Sequence, residues 1–303
     1  MAVDSRRRGA ATEIMNRCVA ALVFVKASIV QFVREDIPFG KTLTDKEGWH
    51  RTTADWERLL RIEPLGMFKA TVDGSDAGVA AVTGYGELAW IHSVIVAESH
   101  RGQGVGRLLM DACIDYAEGH GARCFKLDAV PAAKTFYEGL GFSAEFESLR
   151  FTRSGEAGSA LVQRMRHEDL RNVIPFDQLM TKINRKRVLE ELYRDNPDWA
   201  FLARDNHGVR GYLLGRPDDV RINLGPCVCV PGDERWFVKL IRSAMSTAPE
   251  KTYRICVSGA NHRASIALKS MAFEESQSST RMSMGRRFVE AEASYLMISP
   301  EKG

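Results

Sequence analysis

An apolar segment that runs into three alternately spaced glycines and then an amphipathic helix, "SVIVAESHRGQGVGRLLMDACIDYAEGHG" from Ser93 to Gly121, limits what this chain can build. Glycines 102, 104 and 106 let the backbone curl until its N–H groups face one point, and the dipole of the helix that follows favours negative charge there. Arg101 and Arg107 flank the turn, so a phosphate or pyrophosphate is its natural guest. The same glycines also suit a tight strand-to-helix connection, and the turn taken alone leaves both readings open. Two other phosphate loops fail on residues. A P-loop requires Gly-Lys-Ser/Thr, whereas Gly106 is followed by Arg107 and Leu108. The dinucleotide fingerprint requires a small residue where Arg107 or Leu109 stands, and it sits on a first strand, whereas this turn follows several.

Around the turn the pattern is dense. "SIVQFV" reads as a strand, Asp36 and Pro38 as a helix start, and Thr52 with Asp55 as the cap of a second helix that Pro64 stops. Met67 to Val72, Gly78 to Tyr85 and Ala89 to Val96 form an antiparallel meander. After the turn, Val105, Leu108, Leu109, Ala112, Cys113 and Tyr116 share one helical face. "RCFKLDA", "PAAKTFYEGLG" and "FSAEFESLRFT" add a strand, a short helix and a closing strand or pair. The order β-α-α-β-β-β-α-β-α-β belongs to an α+β fold, a mixed and mostly antiparallel sheet flanked by helices.

The second half repeats the first in diluted form. Phe273 lies over Phe142, 131 residues on, and Val228 over Val94, 134 residues on. "PGDERW" replaces the glycine turn, and Leu268 stands where Tyr137 stands. The expected layout is a loose extension over 1–27, one α+β unit over 28–153, a linker in "RSGEAGSA", and a degenerate copy over 161–303.

Composition excludes several classes. With 42 basic against 39 acidic residues the net charge of +3 leaves no footprint for nucleic acid or an anionic membrane. Arg6 to Arg8 and the apolar run Val19 to Val25 resemble a signal peptide superficially, but Lys26 ends the run early, which points to a cytoplasmic protein. The six cysteines lack the spacing of a disulfide scaffold or paired zinc knuckles, and no metal is expected; Cys227 and Cys229 share one strand face and read as core. "KINRKRVLEELYRD" places Lys182, Arg185, Lys186 and Arg187 together, the usual pattern of a solvated helix face.

"VIVAESHRGQGVGRLLM" resembles the Arg/Gln-x-x-Gly-x-Gly/Ala signature of the GNAT superfamily of acyl-CoA-dependent N-acyltransferases, read at Arg101, Gly104 and Gly106, and "FYEGLGF" is similar to the tyrosine segment of that fold. With the degenerate second half, the chain resembles a tandem member from about Ser28 onward. The resemblance implies acetyl-CoA or a close acyl-CoA as co-substrate. Its pyrophosphate would rest on the amides from Gly102 through Gln103, Gly104 and Val105 to Gly106, beside Arg101 and Arg107. Its pantetheine arm would pair with Val94, Ile95 and Val96, the Val94 amide facing the thioester oxygen. Tyr137 holds the place of the family's general acid, with aromatic packing beside Phe136 as the alternative. His92 holds a place where some members carry a histidine, and a pKa near 6.5 suits it to take a proton from an ammonium; a histidine satisfied by the backbone is the other reading.

Trp90 stands where some members have a catalytic glutamate. It cannot take a proton, so it is expected to wall the acceptor site. Asp128 either binds the acceptor's ammonium or caps the helix at Pro131. Val130 replaces an asparagine that touches the cofactor in many members. The implied activity is acetyl transfer to a small-molecule or peptide amine in a direct ternary complex, by a monomer. A non-catalytic acyl-CoA sensor is the alternative.

Overall fold

A computed structural model describes residues 27–298. Arg6 to Arg8, Cys18 and the Val19 to Val25 run lie outside the described residues, as does nearly all of the predicted extension; Ala27 belongs to the first strand. That strand, β1 (Ala27–Gln31), precedes α1 (Ile37–Lys46) and α2 (Thr53–Ile62). The Thr52 and Asp55 cap forms as predicted: the Asp55 amide donates to Thr52 Oγ1 at 3.1 Å and the Thr52 amide to Asp55 Oδ2 at 3.0 Å. The meander is β2 (Met67–Val72), β3 (Ser75–Tyr85) and β4 (Leu88–Val96). Then come α3 (Val105–Gly119), β5 (Cys124–Ala129), α4 (Lys134–Glu138) and β6 (Ser143–Ser154).

The second half repeats the order with β7 (Gln163–Arg164), α5 (Leu170–Thr181), α6 (Lys186–Asp195), β8 (Ala200–Asp205), β9 (Gly208–Pro217) and β10 (Arg221–Cys229). It continues with α7 (Glu234–Met245), β11 (Thr252–Ser258), α8 (His262–Ser270), β12 (Glu274–Gly285) and β13 (Ser294–Leu296). No helix among the described residues is long and apolar enough to cross a membrane.

The two halves do not close separate sheets. The strands run β1-β2-β3-β4-β5-β12-β6-β11-β10-β9-β8-β7 in a single sheet, with β13 paired to β10. Thus β12, from the end of the chain, inserts between β5 and β6, and β6 pairs on both sides with strands of the second half. The division at residue 153 therefore cuts the sequence where the sheet is continuous. Alternating polarity tells which side chains face a core, but it cannot say which neighbour a strand's edge will meet.

Four clusters of side chains cover the sheet. Val105, Leu109 and Cys113 of α3 bury one face of the first half, and Trp56 and Leu59 of α2 pack with Phe32 and Ile95 on the other. Phe237 and Leu240 of α7 join Cys227 and Cys229, whose thiols lie 3.9 Å apart in the apolar core. The fourth cluster crosses the halves, uniting Ile62, Leu88 and Trp90 with Leu189, Tyr212 and Val228. At that junction the predicted solvated helix face does not hold together. Helix α6 begins only at Lys186. Arg185, ahead of it, is buried in a bidentate pair with Asp177, at 3.1 and 2.5 Å. Arg187 reaches across to Glu63 at 3.0 Å.

Where β5 and β12 meet, the sheet buries a network of charges. Arg281 is wholly buried, donates to Asp128 Oδ2 at 2.9 Å through Nε, with Nη2 2.8 Å from the same oxygen in the ion pair, pairs with Glu290, and lies 4.3 Å over the Trp90 ring. Lys126, equally buried, pairs with Glu145 at 2.7 Å and Glu290 at 3.3 Å. Burial alone would raise the Glu290 carboxyl; Arg281 and Lys126 outweigh it and hold it below its ordinary range. Removing one partner of such a network strands the others in a medium that cannot solvate them. Arg281→Ala is expected to cost about 3–5 kcal/mol in urea unfolding, and a loss under about 1 kcal/mol, the worth of an exposed pair, would show that this junction does not support the fold.

Candidate active site

Local backbone geometry opens the site. Ala81 pairs with His92 and Val79 with Ile95, so Ser93 and Val94 together oppose the single residue Ala80. This is a β-bulge, and Ser93 carries it with a φ of 57°. Parallel pairing between β4 and β5 stops at Trp90, so beyond it the two strands splay apart. The bulge also breaks the simple alternation of β4. Trp90 and His92 share a face, but Val94 and Val96 flip to the α3 side with Ile91, and Ile95 turns toward α1 and α2.

The glycine turn lies at the open end of β4. Gly102 and Gly104 have φ of 74° and 83°, with nothing within 4 Å of where a Cβ would stand, so the left-handed backbone, not crowding, demands glycine there. Gly106 answers a different need: a Cβ would stand 3.3 Å from the Phe136 ring. Gly104 caps α3, and the amides of Gly102, Gln103, Gly104, Val105 and Gly106 donate to no carbonyl within the turn, which leaves donors clustered at a helix N-terminus. Val105 itself anchors the helix in the core. The side chains beside the turn do less than predicted. Arg101 folds back, donating through Nε to the Val96 carbonyl at 3.1 Å and pairing with Glu47; Gln103 donates to the Ser99 carbonyl at 3.0 Å. Arg107 is exposed, 3.9 Å from Asp111. The turn offers an anion its backbone first, and these residues fit the pyrophosphate of a coenzyme A thioester.

Where β4 and β5 part, a cavity of ≈ 150 Å³ opens, lined by His92, Ser93 and Val94, by Asp128 and Val130, and by Tyr137. Tyr137 is 7% exposed, packed edge-on against Phe136 and Phe142 at ring separations of 5.1 and 6.2 Å. Burial, and secondarily the Cys113 thiol, push its phenol well above the ordinary value, so it keeps its proton at neutral pH. The buried His92 ring meets Thr83 Oγ1 at 3.0 Å through Nε2 and Ser93 Oγ at 2.8 Å through Nδ1.

Asp128 corrects the capping reading. The turn at Pro131 has Val130 at its N-cap position with no side-chain bond, and both Asp128 oxygens are already engaged, Oδ2 by Arg281 and Oδ1 by the Ser148 hydroxyl. Burial raises its carboxyl and those two partners oppose the rise. Trp90 is not a wall of the cavity: it is 1% exposed and lies beneath Arg281, one layer down. Sequence reasoning also missed part of the lining. Trp49 and Arg51 reach in from between α1 and α2, and Arg150, Arg216, Asn223 and Arg254 come from β6, β9, β10 and β11. Nothing in the linear sequence ties those last positions to Tyr137, because only the exchange of β6 and β12 brings them across.

The second half repeats the splay and fills it. β10 bulges at Gly225 and Pro226 and pairs in parallel with β11 only through Leu224. Beyond that point β13 pairs antiparallel with β10 at Cys227 and Val228, and the Met297 amide donates to the Cys256 carbonyl of β11 at 3.0 Å. The chain's own strand thus takes the gap that stays open in the first half. Asn261 caps α8 by accepting from the Ala264 amide at 3.0 Å.

Residues 27–142 match the Acetyltransferase (GNAT) family and residues 173–296 an Acetyltransferase (GNAT) domain, so the two matches together take in most of the chain. The chain belongs to the GNAT superfamily and is a tandem acyl-CoA-dependent N-acyltransferase. Among curated proteins it is similar to the holothin acyltransferase of Pseudoalteromonas sp. (strain SANK 73390), 25% identical over 246 residues, 79% of this chain and 82% of that one. An uncharacterized N-acetyltransferase of Methanocaldococcus jannaschii is 31% identical over 114 residues, 34% of this chain and 50% of its own. A putative acetyltransferase from Pyrococcus horikoshii shares the fold with a TM-score of 0.75 at 19% identity, over 91% of this chain and 96% of that one. So does a tandem GNAT protein from the clavulanic acid biosynthesis pathway, with a TM-score of 0.60 at 12% identity, over 88% and 100%.

Calorimetry with coenzyme A is expected to show one equivalent bound per chain, because β13 occupies the second gap. Gly104→Val, which forces a branched residue to a φ of 83°, is expected to weaken that uptake at least tenfold. Two equivalents, or unchanged affinity, would contradict this account of the turn.

Proposed function

We propose that the chain transfers an acetyl group from acetyl-CoA to a primary amine in a direct ternary complex, acting as a monomer whose two halves supply opposite walls of one cavity. The observation that carries the reading is the bulge at Ser93 and Val94, which opens β4 from β5 where Tyr137 and His92 line the same space. Acetyl-CoA supplies the thioester, whose carbonyl carbon the amine attacks and whose sulfur departs. The amides of Gly102 to Gly106 hold its pyrophosphate, and the exposed edge of Val94 to Val96 receives its arm as an added strand. Val94 is left out of the β3 register by the bulge, and its amide would donate to the oxygen that gains charge.

Tyr137 gives its phenolic proton to the departing sulfur, a modest task because a thiol of pKa about 8.5 is already a fair leaving group. The Ser93 hydroxyl accepts the proton lost by the amine and passes its own to His92 Nδ1, while Nε2–H donates to Thr83. Asp128, fully engaged with Arg281 and Ser148, holds the wall in place and does not bind the ammonium.

Tyr137→Phe is expected to lower kcat about 10²- to 10⁴-fold with coenzyme A affinity preserved, measured by release of free thiol and by calorimetry. Because burial holds the Tyr137 phenol up, the wild-type rate should rise with pH as amine is freed and show no falling limb below about pH 10, the ordinary phenol value. Unchanged turnover in the variant would remove Tyr137 from the chemistry, and parallel initial-rate plots in place of intersecting ones would exclude the ternary complex.

A further inference from the structure

A hydroxyl on the floor of the cavity is buried and unanswered. Ser279 of β12 lines the cavity, is 2% exposed, and its Oγ has no hydrogen-bond partner among the described residues. The polar groups around it are engaged elsewhere. Ser148, directly across in β6, turns its own hydroxyl to Asp128 Oδ1. Arg281, two residues on and on the same face of β12, is taken up by Asp128 and Glu290. Thr280, on the opposite face, donates to Glu147 Oε1 at 2.9 Å. Toward β5 the pairing ends where Thr280 meets Ala129, so on that side the ladder stops one residue short of Ser279.

A buried hydroxyl without a partner destabilises the fold that carries it. Water no longer solvates the oxygen, no protein group replaces the water, and alanine would fill nearly the same space without the penalty. Native structures satisfy almost all such groups, and an exception calls for a reason. The place of this one supplies it. Ser279 stands two strands from β4, across β5, so about 10 Å of sheet separates its strand from the one that bulges at Ser93 and Val94. Ser93, Tyr137 and Ser279 line the same cavity. A slender molecule whose nitrogen lies beside Ser93 and Tyr137 therefore brings its far end to Ser279.

We propose that Ser279 selects the acceptor, its hydroxyl hydrogen-bonding a hydroxyl or carbonyl oxygen at the end of the amine remote from the transferred acetyl group. The proposal rests on the transfer reading above. It gives the reacting end of the acceptor to the first half of the chain and recognition of the far end to β12 of the second. The bond forms only with the acceptor in place, which is why the fold itself leaves the hydroxyl unpaired.

The test sets amino alcohols from ethanolamine to aminohexanol against alkylamines of matching length. They serve as acceptors by thiol release and, each joined through an acetyl bridge to the sulfur of coenzyme A, as ligands by calorimetry. The wild type should prefer the amino alcohol about three- to tenfold in kcat/KM, carried by KM, once the chain is long enough to reach β12. Ser279→Ala should bring that ratio close to one, and Ser279→Thr, which keeps the hydroxyl, should retain part of it. Because the hydroxyl has no partner to lose, Ser279→Ala should also melt at or above the wild-type temperature; a lower melting temperature would assign the hydroxyl to the fold and overturn the proposal. So would equal use of amino alcohol and alkylamine at every length, equal binding of the paired conjugates, or a preference that survives in Ser279→Ala. If no amine is turned over but the hydroxyl conjugate binds more tightly than its alkyl counterpart, and Ser279→Ala removes the difference, the Ser279 contact stands and the transfer reading falls.

Discussion

Arg281 reaches from the last long strand of the chain to Asp128 on the fifth, and the two halves share one sheet across that contact. A guanidinium with no solvent exposure needs carboxylates on hand, and Asp128 and Glu290 supply them from opposite sides of the junction. The ring of Trp90 closes the guanidinium from the side. With β12 thus seated against β5, β6 is displaced outward to pair with β11, and the strands that carry Arg150, Arg216 and Arg254 come to face the opening beside β4. The geometry of the candidate site follows from this pairing more than from any helix.

The duplicated halves have parted ways through backbone, not chemistry. Both bulge in the fourth strand of the repeat and both lose parallel pairing just beyond the bulge. In the first half the freed edge of β4 has no strand against it among the described residues, and a left-handed glycine turn stands at its end. In the second, β13 satisfies the edge of β10, and the Met297 amide completes the join to β11. An edge with unpaired amides and carbonyls calls for a partner. Among the described residues one half leaves that edge open and the other meets it with its own chain.

Much of the fold was legible. The glycine turn, the helix after it, the cap at Thr52 and Asp55, the meander and the repeat at Phe142 and Phe273 all rest on local rules of backbone freedom, capping and periodicity, which a sequence carries in full. The family motif placed Tyr137 and His92 on the cavity, where both line it. Reasoning failed where a residue's surroundings depend on a distant strand. Asp128 reads from sequence as a cap or an ammonium site because its partner, Arg281, is 153 residues away. Trp90 was expected at the surface of the site, and the same arginine covers it. The parity of β4 broke because one residue, Ser93, takes a positive φ that no alternation reveals.

Residue order alone therefore determined that a left-handed glycine turn would form between β4 and α3, since glycine is the residue that tolerates the required φ without cost, and that a weakened copy of the same unit would follow. Tertiary structure decided which strands are neighbours, and so which charges are buried together, which of the two gaps remains open, and which arginines line one cavity with Tyr137 and His92. The physical reason is that backbone conformation is set within a few residues, whereas the pairing of an edge is chosen from every strand the chain contains.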